Sequence, residues 1–162
     1  IAVMNKGRFE QVGAARDLYY QPATAFVAGF VGEANRYTAR VEAANGGLLH
    51  LVTSQGVSLR GIDAGDGLAV GDHADVFVRP ETVRLSRKEE DLAEFGNAGG
   101  GRVESVLFNG ANSQLILRDA AQGGEISVAL PQTGAFRDLG KGDTVYFGWE
   151  PDQTCCYRKA GG

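Results

Sequence analysis

Tyr37-Thr38-Ala39-Arg40-Val41-Glu42-Ala43-Ala44-Asn45-Gly46-Gly47-Leu48-Leu49-His50-Leu51-Val52-Thr53 is the stretch on which the fold turns. Tyr37, Ala39, Val41 and Ala43 alternate with polar residues, so they share one face of a strand. Asn45-Gly46-Gly47 turns the chain, and residues 48–53 return it as the second arm of a hairpin. Outward from this hairpin the same rhythm predicts strands near 57–60, 75–78, 82–85, 102–108, 114–118, 126–130, 144–149 and 155–158. The 24 glycines against 4 prolines fit many tight turns and short strands. Residues 87–101 run from RKEEDLAEF into GNAGGG and read as a flexible connection with at most one helical turn. That connection divides the β region in two.

The two parts repeat. Arg40-Val41-Glu42 recurs as Arg102-Val103-Glu104, an offset of 62 residues. Gly71-Asp72 followed by Val76-Phe77-Val78 recurs as Gly142-Asp143 followed by Val145-Tyr146-Phe147, where the second triplets lie 69 apart. A duplicated set of strands whose apolar faces close on each other predicts a mainly β protein built as a paired or closed small barrel.

The opening is different. Residues 1–4 and 8–12 form a predicted hairpin around Asn5-Lys6-Gly7, residues 14–20 read as a short helix ended by Pro22, and TAFVAGFVG continues as a second short helix. The apolar face of that helix (Phe26, Phe30, Val31) needs more cover than one hairpin offers. Residues 1–33 therefore read as the end of another domain and residues 34–162 as the β unit. Ile1 as first residue, with Met4 the sole methionine, fits a fragment or a processed chain.

Composition narrows the function. Sixteen Lys and Arg against 20 Asp and Glu give a net charge of −4, and the longest basic cluster is Arg84, Arg87 and Lys88. Nucleic-acid binding depends on clustered cations against phosphate, so a nucleic-acid partner is disfavoured. No apolar run reaches the ~18 residues that span a bilayer, which argues against direct membrane insertion, and IAVMNKGRFE lacks the layout of a secretory signal. The expected compartment is the cytoplasm. Cys155 and Cys156 are adjacent, so they neither close a long loop nor supply a spaced zinc site, and they read as reduced thiols.

Catalytic constellations are not found. Lys6, Lys88, Lys141 and Lys159 are followed by Gly, Glu, Gly and Ala, so no phosphate-binding GxxxxGK[ST] loop exists and this chain alone is not expected to hydrolyse ATP. His50 and His73 stand apart from each other and from the cysteines, which leaves no His-based metal or nucleophile system. Gly56-Val57-Ser58-Leu59-Arg60-Gly61 matches a nucleophile elbow only loosely. Phe77, Tyr146, Phe147 and Trp149 are expected in the core. Arg79-Pro80-Glu81, at a strand end, is the group that draws attention, because an arginine beside a carboxylate can hold a ligand or dock a neighbouring subunit.

At this point the chain resembles the ATP-binding subunits of bacterial ABC-type importers, in the region after the nucleotide-binding domain. IAVMNKGRFEQVG is similar to that domain's closing hairpin, and AARDLYYQPATAFVAGFVGEANR is similar to the family's stretch that follows, through Tyr20, Pro22, Phe26, Val27, Ala28, Phe30, Gly32 and Asn35. Val78-Arg79-Pro80-Glu81 matches the V-R-P-E element of the regulatory TOBE domain, an OB-like β-barrel of two half repeats. Ala14-Ala15 departs from the small residue and proline usual there, and the Walker, signature and switch-histidine motifs would precede this chain.

The resemblance implies a cytoplasmic regulatory and dimerisation module, peripheral to the inner membrane in the assembled transporter. Its full-length parent would bind ATP and Mg²⁺ and pair with permease subunits; the fragment itself is expected to hold no cofactor or metal. Gly32-Glu33-Ala34-Asn35-Arg36 is closer to the polyamine, ferric-iron and sulfate branches, with polyamine first. A homodimer is expected to form through the barrel by the same patch on both chains, with Arg79, Glu81, Trp149 and Glu150 as the candidate contact or regulatory-ligand residues. The rival readings are a stand-alone oxyanion-binding barrel similar to small molybdate-binding proteins, and an OB-type single-strand binder.

Overall fold

The computed structural model describes residues 1–109, 112–131 and 133–159. The chain opens with the predicted hairpin, β1 (Ala2–Asn5) and β2 (Arg8–Val12), then α1 (Ala15–Tyr20) and α2 (Ala25–Phe30). The first half of the β unit is β3 (Asn35–Asn45), β4 (Leu48–Thr53), β5 (Ser58–Asp63) and β6 (His73–Val78), and β7 (Arg84–Ser86) follows a 3-10 turn at Pro80–Thr82. The second half is β8 (Asn97–Asn109), β9 (Asn112–Asp119), β10 (Glu125–Ala129) and β11 (Thr144–Trp149), and β12 (Thr154–Arg158) follows a matching 3-10 turn at Pro151–Gln153.

The halves exchange their last strands. β12 leaves the second half and closes the first into a five-stranded barrel in the order β12-β5-β4-β3-β6. β7 leaves the first half and joins the second, an open sheet in the order β10-β9-β8-β11-β7. The predicted duplication is present, with one change of register. β3 pairs with β6 through Arg40↔His73 and Asn35↔Val78, and β8 pairs with β11 through Arg102↔Thr144 and Asn97↔Trp149. The second offset is therefore 149 − 78 = 71, not 69, and Val76-Phe77-Val78 corresponds to Phe147-Gly148-Trp149. The local hydrogen bonds agree. Gly71 N–H donates to Val41 C=O at 2.9 Å and Gly142 N–H to Val103 C=O at 2.8 Å. Asp72 Oδ2 accepts from Ala69 N–H, and Asp143 Oδ2 from Gly140 N–H, both at 2.9 Å.

Two further expectations change. The strand predicted over 82–85 is present but starts two residues later, at Arg84–Ser86, because a 3-10 turn set by Pro80 at its start takes residues up to Thr82. The connection over 87–101 is shorter than its composition suggests: Glu89–Leu92 makes one 3-10 turn, and GNAGGG from Asn97 onward lies inside β8. The glycines are there because neighbours lie against the backbone. A Cβ on Gly99 would sit 2.7 Å from the Phe147 ring, and one on Gly101 would sit 2.4 Å from the Arg118 carbonyl oxygen. Gly101→Ala is expected to cost about 2 kcal/mol or more by forcing backbone apart. Gly124→Ala, which meets nothing within 4 Å, is expected to change stability by less than about 0.5 kcal/mol. Urea unfolding of both variants checks the contrast.

One core runs through both halves, with Val41, Leu51 and Val76 from the first and Leu115, Val128 and Phe147 from the second. The rings of Tyr37, Trp149 and Phe147 stack in series across it, with centroids 6.0 and 6.1 Å apart. Two asparagines lock the halves reciprocally. Asn35, at the start of β3, donates to Ser127 C=O at 2.9 Å and accepts from Ser127 N–H at 2.8 Å on β10. Asn97, at the start of β8, donates to Arg60 C=O at 2.9 Å and accepts from Arg60 N–H at 2.7 Å on β5. Each side chain thus imitates a strand neighbour for an edge belonging to the other half, leaving no buried edge group unpaired there.

Asp72 shows how a turn becomes pH-sensitive. The Ala69 N–H, and then Arg158 at 3.0 Å, hold its carboxyl below the ordinary aspartate value of 3.8. A carboxyl depressed in the folded state contributes stability above its unfolded value, and that contribution is lost as pH falls through the folded one. Stability is thus expected to drop below about pH 4 by less in Asp72→Asn than in the unmodified chain, as read by urea unfolding at pH 3 and pH 6.

Candidate functional site

The residues between the opening hairpin and the β unit form a strap with two sticky sides. Pro22 stops α1, and the Thr24 hydroxyl accepts from Val27 N–H at 3.2 Å to start α2. Leu18 and Val27 pack with Val3 of the hairpin. Ala28, on the other side, packs with Phe77 of β6 and Tyr157 of β12. The Tyr157 hydroxyl donates to Pro22 C=O at 2.6 Å, and burial pushes its phenol pKa up, so it stays a neutral donor.

Arg79 is the pin of this seat. Its Nη1 donates to Gly32 C=O at 3.0 Å and Glu33 C=O at 3.1 Å, its Nη2 reaches Tyr19 C=O at 3.5 Å, and its guanidinium lies 4.5 Å from the centre of the Tyr19 ring. Half-burial pushes the guanidinium pKa down, but an arginine starts high enough to stay charged. Glu81 accepts a hydrogen bond from the Tyr19 hydroxyl. Gly32 is small because Tyr19 lies against it: a Cβ there would come within 2.9 Å of the ring. The strap's exit is tied to the second half as well, by Gln114 Nε2 donating to Glu33 at 2.7 Å and by the Asn35 clamp.

The four sequence-derived residues therefore have different surroundings. Arg79 and Glu81 come together and face the strap, beside a cavity of about 160 Å³ also lined by Tyr20, Asp152 and Cys155. Trp149 is 2% exposed in the core, and its indole N–H finds no partner among the described residues. Glu150 is exposed, and its backbone carbonyl accepts from Gln153 N–H at 3.1 Å in the turn before β12. Trp149-Glu150-Pro151-Asp152 is the second-half counterpart of Val78-Arg79-Pro80-Glu81, at the offset of 71 (151 − 80) seen in the strands. Both segments carry the chain from one half to the other.

The cysteines are free thiols, with Cys156 facing the core and Cys155 the cavity. Burial pushes Cys156 up to about 12 and raises Cys155 too, so neither is poised as a thiolate. Among the described residues no group of three or more His, Cys, Asp or Glu could hold a metal, and no helix is long and apolar enough to cross a membrane. Sequence reasoning missed Tyr19, Tyr157 and Asn97. For Asn97 a signal existed: it follows Asn35 by 62 residues (97 − 35), as Arg102 follows Arg40.

The exchanged strands, the two linked halves and the strap define a β module of the TOBE class, and the TOBE domain profile matches residues 76–155. The chain thus carries a TOBE domain, and over most of its length it is similar to importer ATP-binding subunits. It is similar to the spermidine/putrescine import ATP-binding protein PotA of Frankia alni, 35% identical over 95% of this chain and 34% of that protein. The protein of the same description from Rubrobacter xylanophilus is 34% identical over 93% of this chain and 38% of that one. The chain thus spans about a third of the length of these curated relatives. A solved structure of the cytoplasmic molybdate-binding protein ModG, with molybdate bound, shares the fold: the TM-score is 0.67 at 17% identity, covering 77% of this chain and 96% of that one.

Proposed function

We propose that this chain is the regulatory and dimerisation region of a polyamine importer's ATP-binding subunit, whose parent binds ATP and Mg²⁺ and works with permease subunits at the membrane. The observation that carries the reading is that the similarity to spermidine/putrescine import ATP-binding proteins runs through strap and barrel alike, over 95% of the chain in one case. The geometry supplies a mechanism. The hairpin packs on one side of the strap and the barrel on the other, with Arg79 and Tyr157 pinning the second contact. Movement of an ATPase domain continuous with the hairpin would then pass to the barrel as a rigid body, and a barrel held in a dimer would restrain that movement. Hydrolysis belongs to the parent; this region positions.

Glu81 and Glu150 are the exposed members of the four candidates; Glu81 is engaged by the Tyr19 hydroxyl, whereas the Glu150 side chain, on the crossover to β12, makes no hydrogen bond or ion pair among the described residues and can meet a partner barrel. Sedimentation velocity tests the dimer. A dimer at tens of micromolar protein that Glu150→Arg shifts toward monomer is expected; a monomer throughout removes dimerisation from the reading. Spermidine uptake by cells relying on an importer that carries this region tests the substrate class. A micromolar molybdate affinity by calorimetry, without uptake, would favour the oxyanion-binding alternative.

A further inference from the structure

The two halves differ at one place. In the first, β12 completes the barrel by pairing with β5 in parallel, through Cys155↔Ile62 and Cys156↔Asp63. β7 plays the part of β12 in the second half, pairing with β11 as β12 pairs with β6. Yet no pairing joins β7 to β10 among the described residues, and the sheet stays open there. The seam holds a cavity of about 290 Å³ walled by Val83, Leu85, Leu130, Pro131 and Phe136. That is close to the lower end, about 300 Å³, of small-molecule sites.

The wall is held in place at a conformational cost. Phe136 has φ +66, a left-handed conformation that a bulky residue adopts only under constraint. The Arg87 guanidinium lies 5.7 Å from its ring centre and pairs with Asp138 at 2.5 Å. This keeps the aromatic side chain over the gap.

Two donors face the same space. Leu130 N–H donates to Ser113 C=O at 2.8 Å, so the alternation of an antiparallel pair turns the Ala129 N–H away from β9 and toward the seam. Ser127, which also faces outward, is taken by Asn35, but no backbone partner for Ala129 N–H occurs among the described residues. Arg84 lines the cavity from an exposed position, and its guanidinium makes no hydrogen bond or ion pair among the described residues. Glu81, the one acid on the wall, is engaged by the Tyr19 hydroxyl.

From these features we propose that the open seam between β7 and β10 binds a small amphipathic carboxylate, its apolar body against Leu85, Leu130 and Phe136 and its head on Arg84 and the Ala129 N–H. The volume suits the body: at ~30 Å³ per water-sized group it holds about ten such groups, comparable with a ten-carbon chain. An anionic head is favoured over a cationic one because the free groups at the seam are donors, and a guanidinium with a backbone N–H matches a carboxylate.

Amide chemical shifts of the ¹⁵N-labelled protein, followed during titration with decanoate and separately with decanol, test this. Decanoate is expected to give saturable one-to-one shifts at Leu85, Ala129 and Phe136, with decanol at least tenfold weaker. Arg84→Ala, a surface change that leaves the core intact, is expected to weaken decanoate at least tenfold and leave decanol unchanged. Shifts confined to the exposed Phe9, Phe30 and Phe108, equal affinity for acid and alcohol, or indifference to Arg84→Ala would each overturn the proposal.

Discussion

Asn35→Ala is expected to lower the unfolding free energy by about 3 to 5 kcal/mol and Asn97→Ala, whose partner groups on Arg60 are part-buried, by about 2 to 3 kcal/mol. The reason is the pairing each side chain provides. Asn97 is 2% exposed and holds both the N–H and the C=O of Arg60, while Asn35 is 7% exposed and does the same for Ser127. Truncation leaves two backbone groups unpaired, buried at Ser127 and part-buried at Arg60, and each such group costs about 1 to 3 kcal/mol where water is excluded. Asn97→Asp adds a distinguishing sign. An ionised carboxylate there would be buried and would face the Arg60 carbonyl oxygen, whereas the protonated acid can donate to it. The introduced carboxyl's pKa is therefore raised on folding. A group with a raised folded value stabilises at low pH and loses that contribution as pH rises through the folded value, so Asn97→Asp is closest to the unmodified protein near pH 3 and furthest near pH 7. Chemical denaturation at both pH values reads this; losses below about 1 kcal/mol for both alanine variants would show that the halves are held together by apolar packing alone.

Arg79→Ala is expected to release the strap while leaving the barrel folded. The side chain serves three backbone carbonyls and the face of Tyr19 at once. Hydrogen bonds from a charged donor contribute about 1.5 to 3 kcal/mol each when well formed; with one contact at 3.5 Å and the group half exposed, about 2 to 4 kcal/mol for the whole seat is the appropriate scale. Arg79→Lys is expected to recover little, because an ammonium cannot span the carbonyls of Gly32 and Glu33 and stack on a ring together. Hydrogen exchange locates the effect. Amides of Leu18 to Tyr20 and of Ala28 to Phe30 should exchange at least tenfold faster in Arg79→Ala, with those of β3, β4 and β9 unchanged. Equal acceleration throughout would mean that Arg79 supports the barrel itself.

Much of this architecture was legible from alternation and punctuation. Residues 48–53 and 144–149 were predicted as the strands now seen at Leu48–Thr53 and Thr144–Trp149, because each alternates over a buried face and is bounded by glycine or proline. What escaped the sequence depended on distance across the fold. GNAGGG reads locally as a linker, and only the nearness of Phe147 and Arg118 explains why a strand uses glycine there. The exchange of β7 and β12 is invisible to any local pattern, since both look like the continuation of the strand before them. In the site, the sequence singled out Arg79 and Glu81 from their chemistry at a strand end, but not what they face. Tyr19 lies 62 residues before Glu81 (81 − 19), and no spacing rule brings them together.

The proposed role of this strap and barrel, positioning the ATPase domains of an importer's ATP-binding subunit, can be checked in the gene. The most direct test is to sequence the encoding reading frame upstream of Ile1 and translate it. An open frame carrying GxxxxGK[ST] and, shortly before Ile1, a switch histidine is expected. A start codon immediately upstream, with no nucleotide-binding domain encoded, would contradict it.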